Sequence, residues 1–203
     1  MSTITLILVG LTVLISYQAF SNSELQQKFM FIPYNVKNNN ELYRMVSHMF
    51  VHADWTHLAF NMISFFYLGS FLANQWQNAY GLQANYYFLA LYFGGGIAAT
   101  FWPFYKNSEN PAYRSLGASG AVSAVIFASI LWYPQLELYL MFIPIPIKAY
   151  ILGPLYLIFE YYSMKRGGSG IAHDAHLGGA IFGILFVLLI DSNKAYEFLA
   201  LFL

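Results

Sequence analysis

Long apolar runs separated by short polar stretches dominate the chain. The first, residues 4–20, approaches the ~20 residues an α-helix needs to cross a bilayer. No positively charged segment precedes it, so it reads as a membrane helix and not as a cleaved leader. Residues 21–55 alternate polar clusters (Ser21-Asn22-Ser23, Asn38-Asn39-Asn40) with apolar pieces at 29–33 and 45–51. That pattern predicts a long loop lying in the interface with its apolar side against lipid. Further runs follow at 56–73, 86–102, 116–133, 147–163 and 171–190. Turn chemistry separates them: an Asn/Gln-rich stretch with Gly81, a charged loop over 103–115, then Pro134, Pro144 and Pro146, then Lys165-Arg166 and Gly167-Gly168-Ser169-Gly170. Asp191-Ser192-Asn193-Lys194 returns to water, and the apolar tail 196–203 is too short to cross. The expectation is an all-α polytopic membrane protein. It has six transmembrane helices in one domain over residues 1–203, both termini on one side, and no internal repeat.

Composition narrows the class. Of 203 residues, 59% are hydrophobic and 9% charged, against roughly 25% charged in soluble domains. No Asp, Glu, Lys or Arg occurs from Trp55 to Tyr105, which argues against a soluble protein with a large core. Nine basic residues balance nine acidic ones, so nothing points to nucleic acid, and the absence of cysteine removes disulfides and thiol catalysis. Aromatics make up 20%, suited to membrane interfaces. The odd-numbered loops carry Lys28, Lys37, Arg44, Lys106, Arg114, Lys165 and Arg166, and the termini and even loops carry only Lys148 and Lys194. By charge alone the odd loops belong in the cytoplasm.

The candidate chemistry lies in a few polar residues inside apolar runs, where ionisable groups are functional candidates. The five histidines fall in two places: His48, His52 and His57 around the start of the second run, His173 and His176 at the start of the sixth. Runs two, four and six point the same way, so their first turns share one depth and bring His57, Asn61, Ser119 and His176 to one level. Ser119 sits in Gly117-Ala118-Ser119-Gly120 and needs a base, for which His176 is the candidate. Gly179 and Gly183 follow His176 on one helix face, and Gly120, Ala124 and Ala128 offer a matching seam along which two helices could close. His57 and Asn61, four residues apart, project from one face and can donate to an oxyanion beside the Ser119 backbone N–H. Asp174 lies about 200° around the helix from His176, so the expectation is a Ser–His dyad without a carboxylate. Taken singly, each feature also has a packing reading: small residues for helix contact, His57 or Asn61 as an interhelical bond. His48 and His52, at helical i, i+4 spacing, read equally as interface anchors or site supports. His173 is expected to face water, and Glu160 to reach out to the interface. Without His-Glu-x-x-His no metalloprotease is expected, and no metal or cofactor. A transporter would call for inverted repeats, which are not found.

These residues resemble the rhomboid intramembrane serine proteases. Arg44-x3-His48-x3-His52-x4-His57-x3-Asn61 is similar to the family's first-loop and second-helix pattern, Gly117-Ala118-Ser119-Gly120 to its GxSG motif, and His176-x2-Gly179-x3-Gly183 to its sixth-helix base with a glycine seam. The resemblance implies a bacterial-type six-helix core without a further domain, Ser119 as nucleophile, and His176 as base. It places His57, Asn61 and the Ser119 amide at the oxyanion, Arg44 as a structural residue, and His52 in a polar hydrated cavity. It also implies the lipid bilayer as surroundings and single-pass transmembrane proteins as substrates, cut within or beside the helix where it unwinds. The fifth run and the Gly167–Gly170 stretch resemble the lateral gate and cap. It further implies a bacterial inner membrane with the site facing outside, against the charge count. Two positions depart from the pattern: Tyr43 stands where Trp is frequent, and Ser123 where many members place a Tyr on the base. A catalytically inactive relative that binds transmembrane helices is the alternative. Neither the substrate nor the oligomeric state is legible in the chain.

Overall fold

A computed structural model describes residues 2–139, 145–168 and 170–203; Pro144 and Ser169 of two predicted connections fall outside them. The described chain is mostly helical. It runs through α1 (Thr3–Ser21), α2 (Ser23–Phe29), α3 (Pro33–Asn39), α4 (Arg44–Ser47), a 3-10 turn (His48–Phe50) and α5 (Trp55–Ser64). A π-helical turn (Phe65–Gly69) joins α5 to α6 (Ser70–Tyr80). Then come α7 (Ala84–Ala99), α8 (Phe101–Asn107), α9 (Ser119–Trp132), strands β1 (Glu137–Tyr139) and β2 (Pro146–Lys148), α10 (Ala149–Arg166), α11 (His173–Ile190) and α12 (Asn193–Leu199). Among the described residues, three stretches are long and apolar enough to cross a membrane: Thr3–Ser21, Trp55–Asn107, which folds back on itself near Gly81, and His173–Ile190.

Each predicted run contains a helix, but the boundaries shift for physical reasons. The fourth run was expected over 116–133, whereas α9 begins at Ser119 and has 14 residues. At 1.5 Å per residue it is roughly 21 Å long, about 9 Å short of a ~30 Å hydrocarbon core. The residues before it are held by the first loop instead of joining the helix: Phe31 and Ser115 exchange backbone bonds of 2.9 and 3.0 Å. Residues 134–146, expected as plain loop, include an antiparallel pairing of β1 with β2, with Lys148 Nζ donating to Glu137 at 2.8 Å.

The first loop is the main correction. Its second half does not lie against lipid: Met49, Val51 and His52 are fully buried in the protein. His48 and His52 do not share a helix face, because Val51 is extended between them. Arg44, 6% exposed, organises this loop. Its Nη1 donates to the Gln27, Lys28 and Met30 carbonyls at 2.7–2.8 Å, closing the C-terminal end of α2, and its Nε pairs with Glu41. A planar guanidinium supplies that many donors where an ammonium could not. The same pairing holds the Glu41 carboxyl below its ordinary range.

The core forms where α7, α9 and α11 approach at backbone distance. A side chain at Gly95 would collide with Ala124, one at Gly94 would stand 2.5 Å from the Phe182 ring, and one at Gly96 would strike Met49 of the buried loop. The Gly94-Gly95-Gly96 run therefore serves three neighbours in three directions.

Candidate functional site

Ser119 is the first residue of α9, so its backbone N–H has no carbonyl one turn back to bond. The chain reaches it through Gly117 at φ +115, where a Cβ would stand 2.6 Å from His57 Cε1 and 2.8 Å from Nε2. Only glycine lets the connecting segment turn into the helix while the His57 imidazole lies against it. Gly117→Ala is expected to cost about 1–3 kcal/mol through strain and overpacking. It should also displace the His57 ring; thermal unfolding in detergent and the rate of the purified variant check both.

The first loop clamps this turn. Gly117 N–H donates to the His48 carbonyl at 2.9 Å, and His48 Nδ1 donates back to the Gly117 carbonyl at 3.3 Å. Ala118 N–H donates to His52 Nε2 at 3.3 Å, so the proton of the neutral ring is on Nδ1, which donates to Ser16 Oγ of α1 at 2.9 Å. Ser16 Oγ–H donates in turn to the Phe50 carbonyl at 2.9 Å. His52 thus ties α1 to the residue before Ser119, with its ring 5.0 Å from that of His57. Its expected place in a hydrated cavity is corrected to a fully buried anchoring position, because both ring nitrogens are taken by protein groups.

Burial pushes the His48 and His52 imidazoles down, to about 4 and about 3. Below the ordinary value of 6.5 the unfolded chain takes up protons that the folded chain refuses until those lower values are passed. Stability is therefore fully present above pH 6.5 and falls as the pH drops through that window. Thermal unfolding measured against pH checks this, and His52→Gln should flatten part of the slope.

On the opposite wall, α11 meets α9 along its glycines. A side chain at Gly179 would collide with the Gly120 carbonyl oxygen and one at Gly183 with that of Ala124; Gly120 itself abuts Ala99 of α7. This contact brings the first turns of the two helices together. Ser119, His176, His57 and Asn61 all line one open cavity of about 800 Å³, together with Asp54, Ser123 and Tyr156. The cavity also touches residues of the first, third and fifth loops, Ala53, Arg114 and Gly170 among them, so it opens on the odd-loop side. His57 N–H donates to Asp54, which caps α5, at 2.7 Å. One Asn61 amide N–H donates to the His57 carbonyl at 2.9 Å, leaving its second N–H for a ligand.

Three expectations about His176 and its neighbours are corrected. Glu160 of α10 does not reach the interface: it is 2% exposed. Its Oε1 lies 3.1 Å from His176 Nδ1 and its Oε2 2.5 Å from His173 Nδ1. His173 does not face water but is buried against this carboxylate. His176 does have a carboxylate partner, supplied by a different helix from the one where Asp174 was considered. Tyr156, one turn before Glu160, places its hydroxyl 3.4 Å from the same Nδ1, in the region left open by Ser123. An ionisable residue inside an apolar run was the available signal for Glu160; its direction was not. Glu160, His173 and His176 are also donors of a type zinc takes, all within 4.8 Å of one another. Their 2.5 and 3.1 Å separations are hydrogen-bond lengths; ligands of one tetrahedral zinc lie roughly 3.3 Å apart.

The chain matches the family model described as a rhomboid domain over residues 39–193. It is 28% identical over 186 residues to "RHOMBOID-like protein 12, mitochondrial" of Arabidopsis thaliana, covering 86% of this chain and 54% of that protein. It is 29% identical over 145 residues to "Presenilin-associated rhomboid-like protein A, mitochondrial" of Danio rerio, covering 70% and 36%. With "Rhomboid protease AarA" of Providencia stuartii it shares 27% identity over 205 residues, covering 90% and 70%. The chain thus spans about half the length of the Arabidopsis relative and about a third of the zebrafish one. Two of these names place their proteins in mitochondria, so the expectation of a bacterial inner membrane has no support from them. The family model covers most of the chain, including every residue of the cavity wall described above, and the protein is a member of the rhomboid family of membrane proteins.

Proposed function

We propose that this protein is an intramembrane serine endopeptidase that cleaves single-pass transmembrane proteins within or beside their membrane helix. The observation that carries the reading is the shared cavity: Ser119 at the free head of α9 and His176 in the first turn of α11 face the same space. In this reading His176 takes the Ser119 proton, and Ser119 Oγ attacks a substrate carbonyl. The oxyanion then accepts from the Ser119 backbone N–H, the His57 ring and the remaining Asn61 N–H. Asn61 and His57 are set for this by one helix, since the Asn61 amide is oriented through the His57 carbonyl.

The helices α1, α5–α6, α7, α9, α10 and α11 serve as the six spans, in a single domain. In this reading the head of the short α9, and so Ser119, lies below the level of the lipid headgroups, with the cavity open toward the odd loops. A substrate helix must unwind there to expose a carbonyl. The reading commits to a multi-pass membrane location and not to a particular organelle. The intact Ser119 and His176, both lining one cavity, speak against a binding-only relative.

Reconstitution into vesicles with a fluorogenic transmembrane reporter tests this. Cleavage should resist chelators, and a fluorophosphonate should label Ser119 and block cleavage in proportion. Cleavage that continues with Ser119 fully labelled sinks the proposal.

A further inference from the structure

We propose that Glu160 is the positioning residue of the base, so that the relay runs Ser119–His176–Glu160 with the third member supplied by α10; this rests on the protease reading above. The geometry sets the tautomer. A carboxylate accepts and does not donate when ionised, so at 3.1 Å His176 Nδ1 carries the proton and donates a hydrogen bond to Glu160 Oε1. The ring nitrogen that faces away, Nε2, is then left with a free lone pair, the form a general base needs. The other tautomer would put a proton on Nε2 and could not accept one from Ser119.

His173 makes the arrangement hold. Its Nδ1 donates to Oε2 at 2.5 Å, so each carboxylate oxygen is occupied by one imidazole. A carboxylate only 2% exposed is costly to bury without partners; bonded on both oxygens, it stays as an oriented anion. As His176 takes the Ser119 proton from Oγ to Nε2, an imidazolium forms, and the Glu160 charge across Nδ1 stabilises it. The proton then passes from Nε2 to the leaving amine, and Glu160 keeps its charge throughout. The position left small at Ser123 is compensated from the same helix face, because Tyr156 lies one turn from Glu160 and 3.4 Å from Nδ1. Base and positioning residue stand on different helices, α11 and α10, so any outward movement of α10 withdraws Glu160 from His176.

Among the described residues, the titratable and charged groups around His176 are Glu160 and Tyr156 from α10, His173 on its own helix, His57 and Ser119 across the cavity, and Asp54, Tyr113 and Arg114 further along its lining. Glu160→Gln in the full chain, assayed in vesicles on the transmembrane reporter as a function of pH, tests the assignment. A neutral amide cannot hold an imidazolium, so kcat should fall by up to roughly 10⁴-fold with KM nearly unchanged, and the acid limb of kcat/KM should move to lower pH. Glu160→Asp should recover part of the loss. Wild-type kcat and pH profile in Glu160→Gln would overturn the proposal, as would a rate loss that tracks only a lowered melting temperature with the limb unmoved. An independent measurement needs no variant: histidine-selective nitrogen-15 spectra of the wild-type protein should show His176 protonated on Nδ1 and bare on Nε2 at neutral pH. The reverse assignment refutes it. Should Ser119→Ala cleave as fast as wild type, the protease reading falls by itself, while the spectra still decide whether Glu160 sets the His176 tautomer.

Discussion

Ser119→Ala is expected to lower turnover of a transmembrane reporter by roughly 10⁴-fold or more while leaving the fold intact. The size follows from the way nucleophile and base act as a unit, so that losing either removes nearly the whole covalent route. The structural cost is small because Ser119 is only partly buried and contributes no cap to its own helix; Ala118 stands at that position and makes no side-chain cap bond. A stability change within about 1 kcal/mol is expected, readable as thermal unfolding in detergent. The comparison with His176→Ala is informative, since both variants and the double variant should show the same residual rate if the two side chains serve one step. Independent losses that multiply would mean the two act in separate steps, and a variant that still cleaves would remove Ser119 from the chemistry.

Gly179→Val is expected to damage stability and rate together. The two faces in contact at this point are both backbone: the Gly179 Cα and the Gly120 carbonyl, carbon and Cα. No rotamer change can relieve a side chain placed there, so α9 and α11 must separate. Overpacking of this kind costs about 1–3 kcal/mol, and more where the neighbour is rigid. The rate should fall further than stability alone explains. Gly120 follows Ser119 directly and Gly179 is one turn beyond His176, so the hinge of any separation lies beside the proposed nucleophile and base. A misplacement of about 1 Å is enough for a loss near 10²-fold. Gly10→Ala is the matched control, because nothing lies within 4 Å of that position on α1, and it should leave rate and melting temperature nearly unchanged. Wild-type kcat and melting temperature in Gly179→Val would show that the seam does not set the site.

Much of this was legible in the chain, and the missing part has one cause. Apolar runs locate membrane helices because lipid demands them, whatever their neighbours are. A glycine three residues after His176, facing a Gly/Ala series after Ser119, announces a close helix pair because only small residues permit one. Polar side chains inside such runs mark a site because burying them idle is costly. These are local signals, and they singled out Ser119, His176, His57 and Asn61, which line one cavity, and Glu160 as a polar residue inside a run.

The partners of Glu160, the burial of the first loop and the late start of α9 depended on contacts between distant segments. A helix that is apolar around its whole circumference, as α10 nearly is, carries no stripe to reveal which way it faces, so the direction of Glu160 was not written in its neighbours. A loop with alternating polar and apolar pieces satisfies either lipid or a protein cleft. It was the space above Gly96 and the acceptor and donor groups of residues 115–118 that drew His48, Met49 and His52 inward. The chain alone determined which polar groups lie inside apolar runs and roughly how deep they lie. Which of them touch was decided by the rotation of each helix about its axis, a quantity that only packing against the other helices sets.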